Sequence, residues 1–353
     1  MMKSIYLTMA CVAVSALGAY GAGEGLTIFD IAVSERYVWS GTSQGLLRYD
    51  KTTDEVKMFS DAKIKKVSAV GLLPEGEVAV GDSGVGGVAV FDGKSFRYVE
   101  PGDGIGKVQT VGALSYDSGL WIGCATRVLH QSDDGWKEYV ELGTMVAAYF
   151  VYQAFAYDDE TATMWYGASG TVDGFSFGSI SAQEGMKVYS EVPAVNDLYR
   201  APSGMIYIAT DKGMWYYADG KTAFLEHPIS AMPEKCTSVS GSGEMLCFSA
   251  GNVLVKADDG LRYFSYENPA VQSGDYITDI EVDGDVIWVG YRKSGLFRFK
   301  NDEFESMNSS VEIVESGIDE EDSEKIYDLR GFRLTEPVKG EVYIQSGKKR
   351  IRR

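Results

Sequence analysis

Val38-Trp39-Ser40-Gly41-Thr42, with Gly45-Leu46-Leu47-Arg48-Tyr49-Asp50 just behind it, is a unit that this chain repeats. Its anchor returns as Val78-Ala79-Val80-Gly81, Leu120-Trp121-Ile122-Gly123, Met164-Trp165-Tyr166-Gly167 and Ile287-Trp288-Val289-Gly290. Ile206-Tyr207-Ile208-Ala209 and Leu246-Cys247-Phe248-Ser249 are degenerate copies. The interval is about 40 to 44 residues, the length of a four-stranded propeller blade. A strand with apolar residues three apart precedes each anchor: Ile28/Ile31, Val67/Val70, Val108/Val111, Val151/Ala154, Val195/Leu198, Cys236/Val239 and Ile277/Ile280. A third strand follows, as in Gly295-Leu296-Phe297-Arg298-Phe299, and then a fourth, as in Phe304-Glu305-Ser306-Met307.

The pattern predicts an all-β protein, a seven-bladed β-propeller over residues 23–307. In each anchor the Trp and the Gly two positions on point to the same blade face. The Trp packs on the neighbouring blade, and the Gly lets that neighbour approach. A lone blade cannot bury both faces, whereas seven in a ring cover one another. The strand that closes the ring is not evident; residues just after the leader, or Val311 to Val314, are the candidates.

These units resemble the two-component regulator propeller repeat, found in the periplasmic ligand-sensing regions of hybrid sensor kinases. The match is best at Trp39-Ser40-Gly41-Thr42 through Asp50, and at Trp288-Val289-Gly290 through Phe299. The family's sensors usually carry a second propeller, a β-sandwich, a membrane span and a kinase, none of which this sequence shows. The resemblance therefore implies a ligand-binding module without its own kinase.

Both ends read as signals for export. Lys3, the apolar stretch Ile5 to Ala19, and small residues Ala19 and Gly21 suit a secretory leader over residues 1–22. A lipoprotein reading at Cys11 is weaker, because apolar sequence continues past it. No segment reads as a membrane span, so the expected location is the periplasm, the cell surface or the medium. Residues 308–324 form an acidic linker, with seven carboxylates between Glu312 and Glu324. Residues 325–353 hold Tyr327-Asp328-Leu329-Arg330-Gly331, Lys339-Gly340 before Tyr343-Ile344, and a basic end. They resemble the C-terminal sorting domain of secreted Bacteroidetes proteins, which implies an address or an anchor.

The net charge of −18 argues against a nucleic-acid partner. Cys124, Cys236 and Cys247 are odd in number and lack accompanying ligands, so buried free thiols are expected, with no metal or other cofactor. Of the two histidines, His130 falls on a third strand and His227 in an inter-blade connection. No serine elbow or phosphate loop is present; Gly81-Asp82-Ser83-Gly84-Val85-Gly86-Gly87 opens no helix and reads as a blade loop.

The candidate chemistry is a set of inner-strand acids, Asp30, Asp197 and Asp279, with Ala69, Thr110, Gln153 and Ser238 at the equivalent place in other blades. Paired carboxylates near a channel can cleave glycans, but a solvated channel needs a polar ring in any case. The favoured reading is a monomeric, non-catalytic module for a glycan, peptide or surface protein. Its upper face would use Arg127, Tyr152, Asp173, Asp197, Asp211, Lys212, Asp279, Arg292 and Lys293, with Tyr149 and Tyr276 at the channel mouth. The alternatives are a polysaccharide hydrolase or a lyase built on His227 and a Tyr, and a purely structural surface protein.

Overall fold

A computed structural model describes residues 25–84, 86–101, 105, 107–141, 150–170, 175–226, 235–243, 245–258 and 262–307, with further strands at Val311–Glu315, Ile326–Tyr327, Arg333–Leu334, Val342–Gln345 and Lys348–Ile351. The fold is a seven-bladed β-propeller. Each blade is four consecutive antiparallel strands, and the innermost are Ile28–Val33, Val67–Leu72, Val111–Tyr116, Tyr152–Asp158, Val195–Arg200, Val239–Ser242 and Ile277–Asp283. Up-down-up-down connectivity puts the turns between second and third strands, and the links between blades, at one end of the ring, the upper face. Strands Ile326–Tyr327, Arg333–Leu334, Val342–Gln345 and Lys348–Ile351 pair in a small sheet of their own.

The anchors do what their spacing requires. Trp39 of blade 1 is buried among Val67, Val70 and Phe91 of blade 2, and Trp288 of blade 7 among Ile28, Ile31 and Tyr49 of blade 1. Trp121 and Trp165 make the same step into blades 4 and 5. In the degenerate anchors, Tyr207 packs on the core shared with blade 6, and Cys247 lies in the core shared with blade 7. The glycines mark the closest approach: a Cβ at Gly41 would lie 2.6 Å from the Val67 carbonyl oxygen, and one at Gly290 would lie 2.6 Å from Ile28 Cγ2. Cys124, Cys236 and Cys247 are free and buried, and burial raises all three thiol pKa values. His130 stacks on Trp121 at 4.1 Å, a structural role.

Two inner strands are registered later than the apolar spacing suggests. The equivalent of Ile28 is Val111 in blade 3 rather than Val108, and Tyr152 in blade 4 rather than Val151. A bulge lies near the start of the inner strand in these blades as in blades 1, 2, 5 and 7, seen as a register shift at Ile28/Asp30, Val67/Ala69, Tyr152/Ala154, Val195/Asp197 and Ile277/Asp279, and opposite Gly123/Cys124 in blade 3. One extra residue moves everything before it to the other face. The true equivalents of Asp30 in blades 3 and 4 are therefore Ala113 and Ala154, which pair with the anchor glycines Gly123 and Gly167 as Asp30 pairs with Gly41. Thr110 lies ahead of its strand, and Gln153 is the bulge residue itself.

The ring closes without exchanging a strand between blades 7 and 1. Thr27 Oγ1 donates to the Arg292 carbonyl at 2.6 Å, Lys51 meets Asp283 at 2.9 Å, and Arg298 reaches the Tyr49 hydroxyl at 3.3 Å. Strand Val311–Glu315 then runs parallel to Val56–Ser60 as a fifth strand on the outer edge of blade 1. This is the second of the two expected segments, and it covers an edge that would otherwise be open.

Gly41→Ala should lower unfolding stability by about 1–3 kcal/mol, because a backbone carbonyl stands where the methyl must go. The check is urea denaturation of the full chain, and an unchanged midpoint would mean that blades 1 and 2 do not meet as closely as described.

Candidate functional site

An inner strand pairs on one side only. Its other edge faces the channel, and its N–H and C=O groups there still need partners. In this chain the preceding blade provides them from two adjacent positions. The bulge residue donates: Ser68 Oγ to the Val111 carbonyl at 2.5 Å, Gln153 Nε2 to Val195 at 2.8 Å, Asn196 Nδ2 to Cys236 at 2.7 Å, and Thr237 Oγ1 to Ile277 at 2.6 Å. The next residue accepts. Asp30 takes the Val70 N–H at 2.6 Å, Asp197 that of Val239 at 2.9 Å, Ser238 Oγ that of Ile280 at 3.0 Å, and Asp279 that of Ile31 at 2.6 Å. The last of these crosses the ring closure.

The structure thus brings Asp30, Asp197 and Asp279 to one channel, as the sequence suggested, and gives them structural work. With Glu281 they line a cavity of about 330 Å³. Ser238 Oγ lies 2.7 Å from Asp197 Oδ2 and 2.8 Å from Asp279 Oδ1. One hydroxyl hydrogen cannot serve both contacts. A proton on Asp279 satisfies both: Asp279 donates to Ser238, and Ser238 donates to Asp197. Burial raises the pKa of all three aspartates, and the nearby Asp30 and Asp197 charges push Asp279 further. Glu281 is pushed up to about 8 by burial, opposed by a 3.0 Å bond from Ser240 Oγ.

The other sequence-named residues are on the upper-face turns or outside the described residues. Arg292 is exposed, 5.5 Å from the Tyr276 ring, with Nη1 3.3 Å from the Tyr276 hydroxyl. Lys293 follows it, its N–H tied to Asp275 at 3.0 Å. Asp211 and Lys212 share an exposed turn, where Asp211 pairs with Lys235 at 2.8 Å. Arg127 donates to the Lys107 carbonyl at 3.0 Å. Tyr152 is a correction: it is fully buried between blades 3 and 4, edge-on to Phe150 and Tyr166 and inaccessible to a ligand. It occupies the position of Ile28 in blade 1, just ahead of the bulge, and that position points into the core. Asp173, Tyr149 and His227 lie outside the described residues.

Sequence reasoning missed Ser240, Glu281 and the donor row. The available signal was the donor-acceptor doublet at one point of successive blades, Asn196-Asp197 and Thr237-Ser238. No group of three His, Cys, Asp or Glu among the described residues is arranged to hold a metal ion.

No protein-family model matches the chain, and none of the curated proteins matches it in sequence. Solved structures do resemble it. The extracellular domain of a hybrid two-component system from B. thetaiotaomicron superposes with a TM-score of 0.61 at 14% identity, over 91% of this chain and 44% of that one. A streptogramin B lyase gives 0.61 at 12% identity, over 78% and 94%. YCF48 bound to D1 peptide gives 0.59 at 10% identity, over 79% and 94%. At such identities the likeness shows the propeller fold and nothing further.

The buried acids make stability depend on pH. A carboxyl whose pKa is higher in the folded chain than in the unfolded one stabilises fully below the unfolded value, near 4, and loses that contribution as pH rises through the folded value. Stability should therefore fall as pH rises from about 4 through the raised values of these acids, with Glu281 losing its share near pH 8. Asp279→Asn keeps both an acceptor for Ile31 and a donor for Ser238, so it should be more stable than the parent by about 1–2 kcal/mol at pH 8, with a flatter profile. Parallel profiles for parent and variant in chemical denaturation would refute the assignment.

Proposed function

We propose that this chain is an exported, monomeric, non-catalytic propeller whose upper face binds a glycan, a peptide or a surface protein. One contrast carries the reading. The channel carboxylates, the candidates for catalysis, are committed to the backbone of the next blade. Arg127, Asp211, Lys212, Arg292 and Lys293 stand on turns of a single face, and all but Arg127 are exposed. The Arg292–Tyr276 pair joins a cation to an aromatic ring, a combination suited to sugar or peptide recognition. The solved neighbours lend support: one is the extracellular domain of a two-component system, and another was captured with a peptide. Among the described residues no helix is long and apolar enough to cross a membrane, which is compatible with export. Residues 1–22 would then direct export, and residues 325–353 would act as an address or anchor outside the binding face.

The test is a glycan and peptide array probed with the full chain, followed by calorimetry on any hit. Arg292→Ala should weaken a specific hit by about tenfold or more, and Asp279→Asn should leave it intact. A hit that is consumed during titration, in a manner abolished by Asp279→Asn, would replace this reading with an enzyme.

A further inference from the structure

A second cavity lies away from the channel, on the upper face between blades 2 and 3. It measures about 1000 Å³. Its rim comes from the link into blade 2, the loop after Gly81 and the link into blade 3; Val88 and Val108 are buried beneath it. Four lysines line it: Lys63, Lys65, Lys66 and Lys107. This is a local reversal of sign on a chain of net charge −18.

None of the four cavity lysines is ion-paired among the described residues, a property shared by Lys94, Lys137, Lys212, Lys221, Lys256 and Lys293; what distinguishes the four is that they line one concavity. Lys63 instead lies 4.1 Å from the Tyr98 ring centroid, on the cavity wall. The acids that share the lining are Asp82 and Glu100. Asp82 is buried, and its oxygens are taken by the N–H groups of Gly84 at 2.7 Å, Gly86 at 3.2 Å and Lys66 at 3.3 Å. It braces the two loops that carry the lysines and leaves the ammonium groups unpaired. Arg127 steadies the fourth, through its bond to the Lys107 carbonyl.

Four unpaired ammonium groups around one concavity focus a positive potential there. Lysine is a mobile point charge, suited to several separated anionic groups more than to a single planar carboxylate. The volume is that of a small-molecule site. We propose that this cavity binds a compact polyanion bearing several carboxylate, sulfate or phosphate groups, either free or as the charged portion of an oligosaccharide. The proposal deepens the binding reading above by naming a ligand class and a place. It stands or falls separately, because it needs no array hit.

The experiment is calorimetry of the full chain at low salt with three probes: tripolyphosphate, citrate and a sulfated disaccharide, with the unsulfated disaccharide as control. Saturable binding of at least one anionic probe is expected, with silence from the neutral sugar and affinity falling as salt is raised. The triple variant Lys63→Gln/Lys65→Gln/Lys66→Gln should lose about tenfold or more. All three side chains are exposed, so the fold should survive, which circular dichroism checks. Lys94→Gln/Lys221→Gln, both exposed and away from the cavity, should bind as the parent does. Preference for the sulfated sugar identifies a charged glycan, and equal binding of tripolyphosphate identifies a free polyanion. No saturable binding by any anionic probe, or equal binding by the triple variant, would overturn the proposal.

Discussion

Backbone that has no strand partner must still be satisfied, and in this molecule that constraint falls on the inner edge of every blade. The edge faces a narrow channel. Water could serve it there, yet much of it is served by side chains of the blade before. A bulge makes this possible by presenting two successive residues towards the next strand, the first donating to a carbonyl and the second accepting an amide. Asn196-Asp197 and Thr237-Ser238 carry out both halves. Blades 2 and 4 keep the donor, Ser68 and Gln153, beside Ala69 and Ala154, which cannot accept. The polar ring is therefore heaviest over blades 5, 6, 7 and 1, the arc that includes the ring closure.

Crowding acceptors into a channel has an electrostatic consequence. Three aspartates and Glu281 are dehydrated together, so each disfavours the charge of the next and protons are retained. Groups with raised pKa values often mark active sites. Here the burial of these acids as partners for the next blade gives a structural cause for the same shifts, against which the amides of Val70 and Val239 and the Ser238 hydroxyl act. The proposed binding then falls to the face where charge is free: the turns bearing Arg292 and Lys212, and the lysine-lined cavity over blade 2.

Much of this was legible in the sequence. The blade count, the four-strand order, the inward Trp and the close glycine all follow from period-two geometry and a repeat of fixed length. The free thiols and the clustering of Asp30, Asp197 and Asp279 followed too. The register of blades 3 and 4 was not legible, because the apolar spacing there fits more than one strand start. Valines at Val108 and Val151 fit the pattern as well as the true strand starts do. Tyr152 was misplaced for that reason. The lysine cavity escaped because Lys63-Ile64-Lys65-Lys66 is an ordinary basic run until two other loops, from blade 2 and from the link into blade 3, close around it.

The most direct test of the account is the infrared spectrum of the folded protein at about pH 6, where ordinary aspartates and glutamates are ionised. The account predicts a protonated-carboxyl carbonyl stretch from the channel acids, reduced but not lost in Asp279→Asn, because Glu281 and Asp30 keep the burial that raises their pKa values. Ionised carboxylate bands alone at that pH would contradict it and return the channel to the list of solvated, potentially reactive sites.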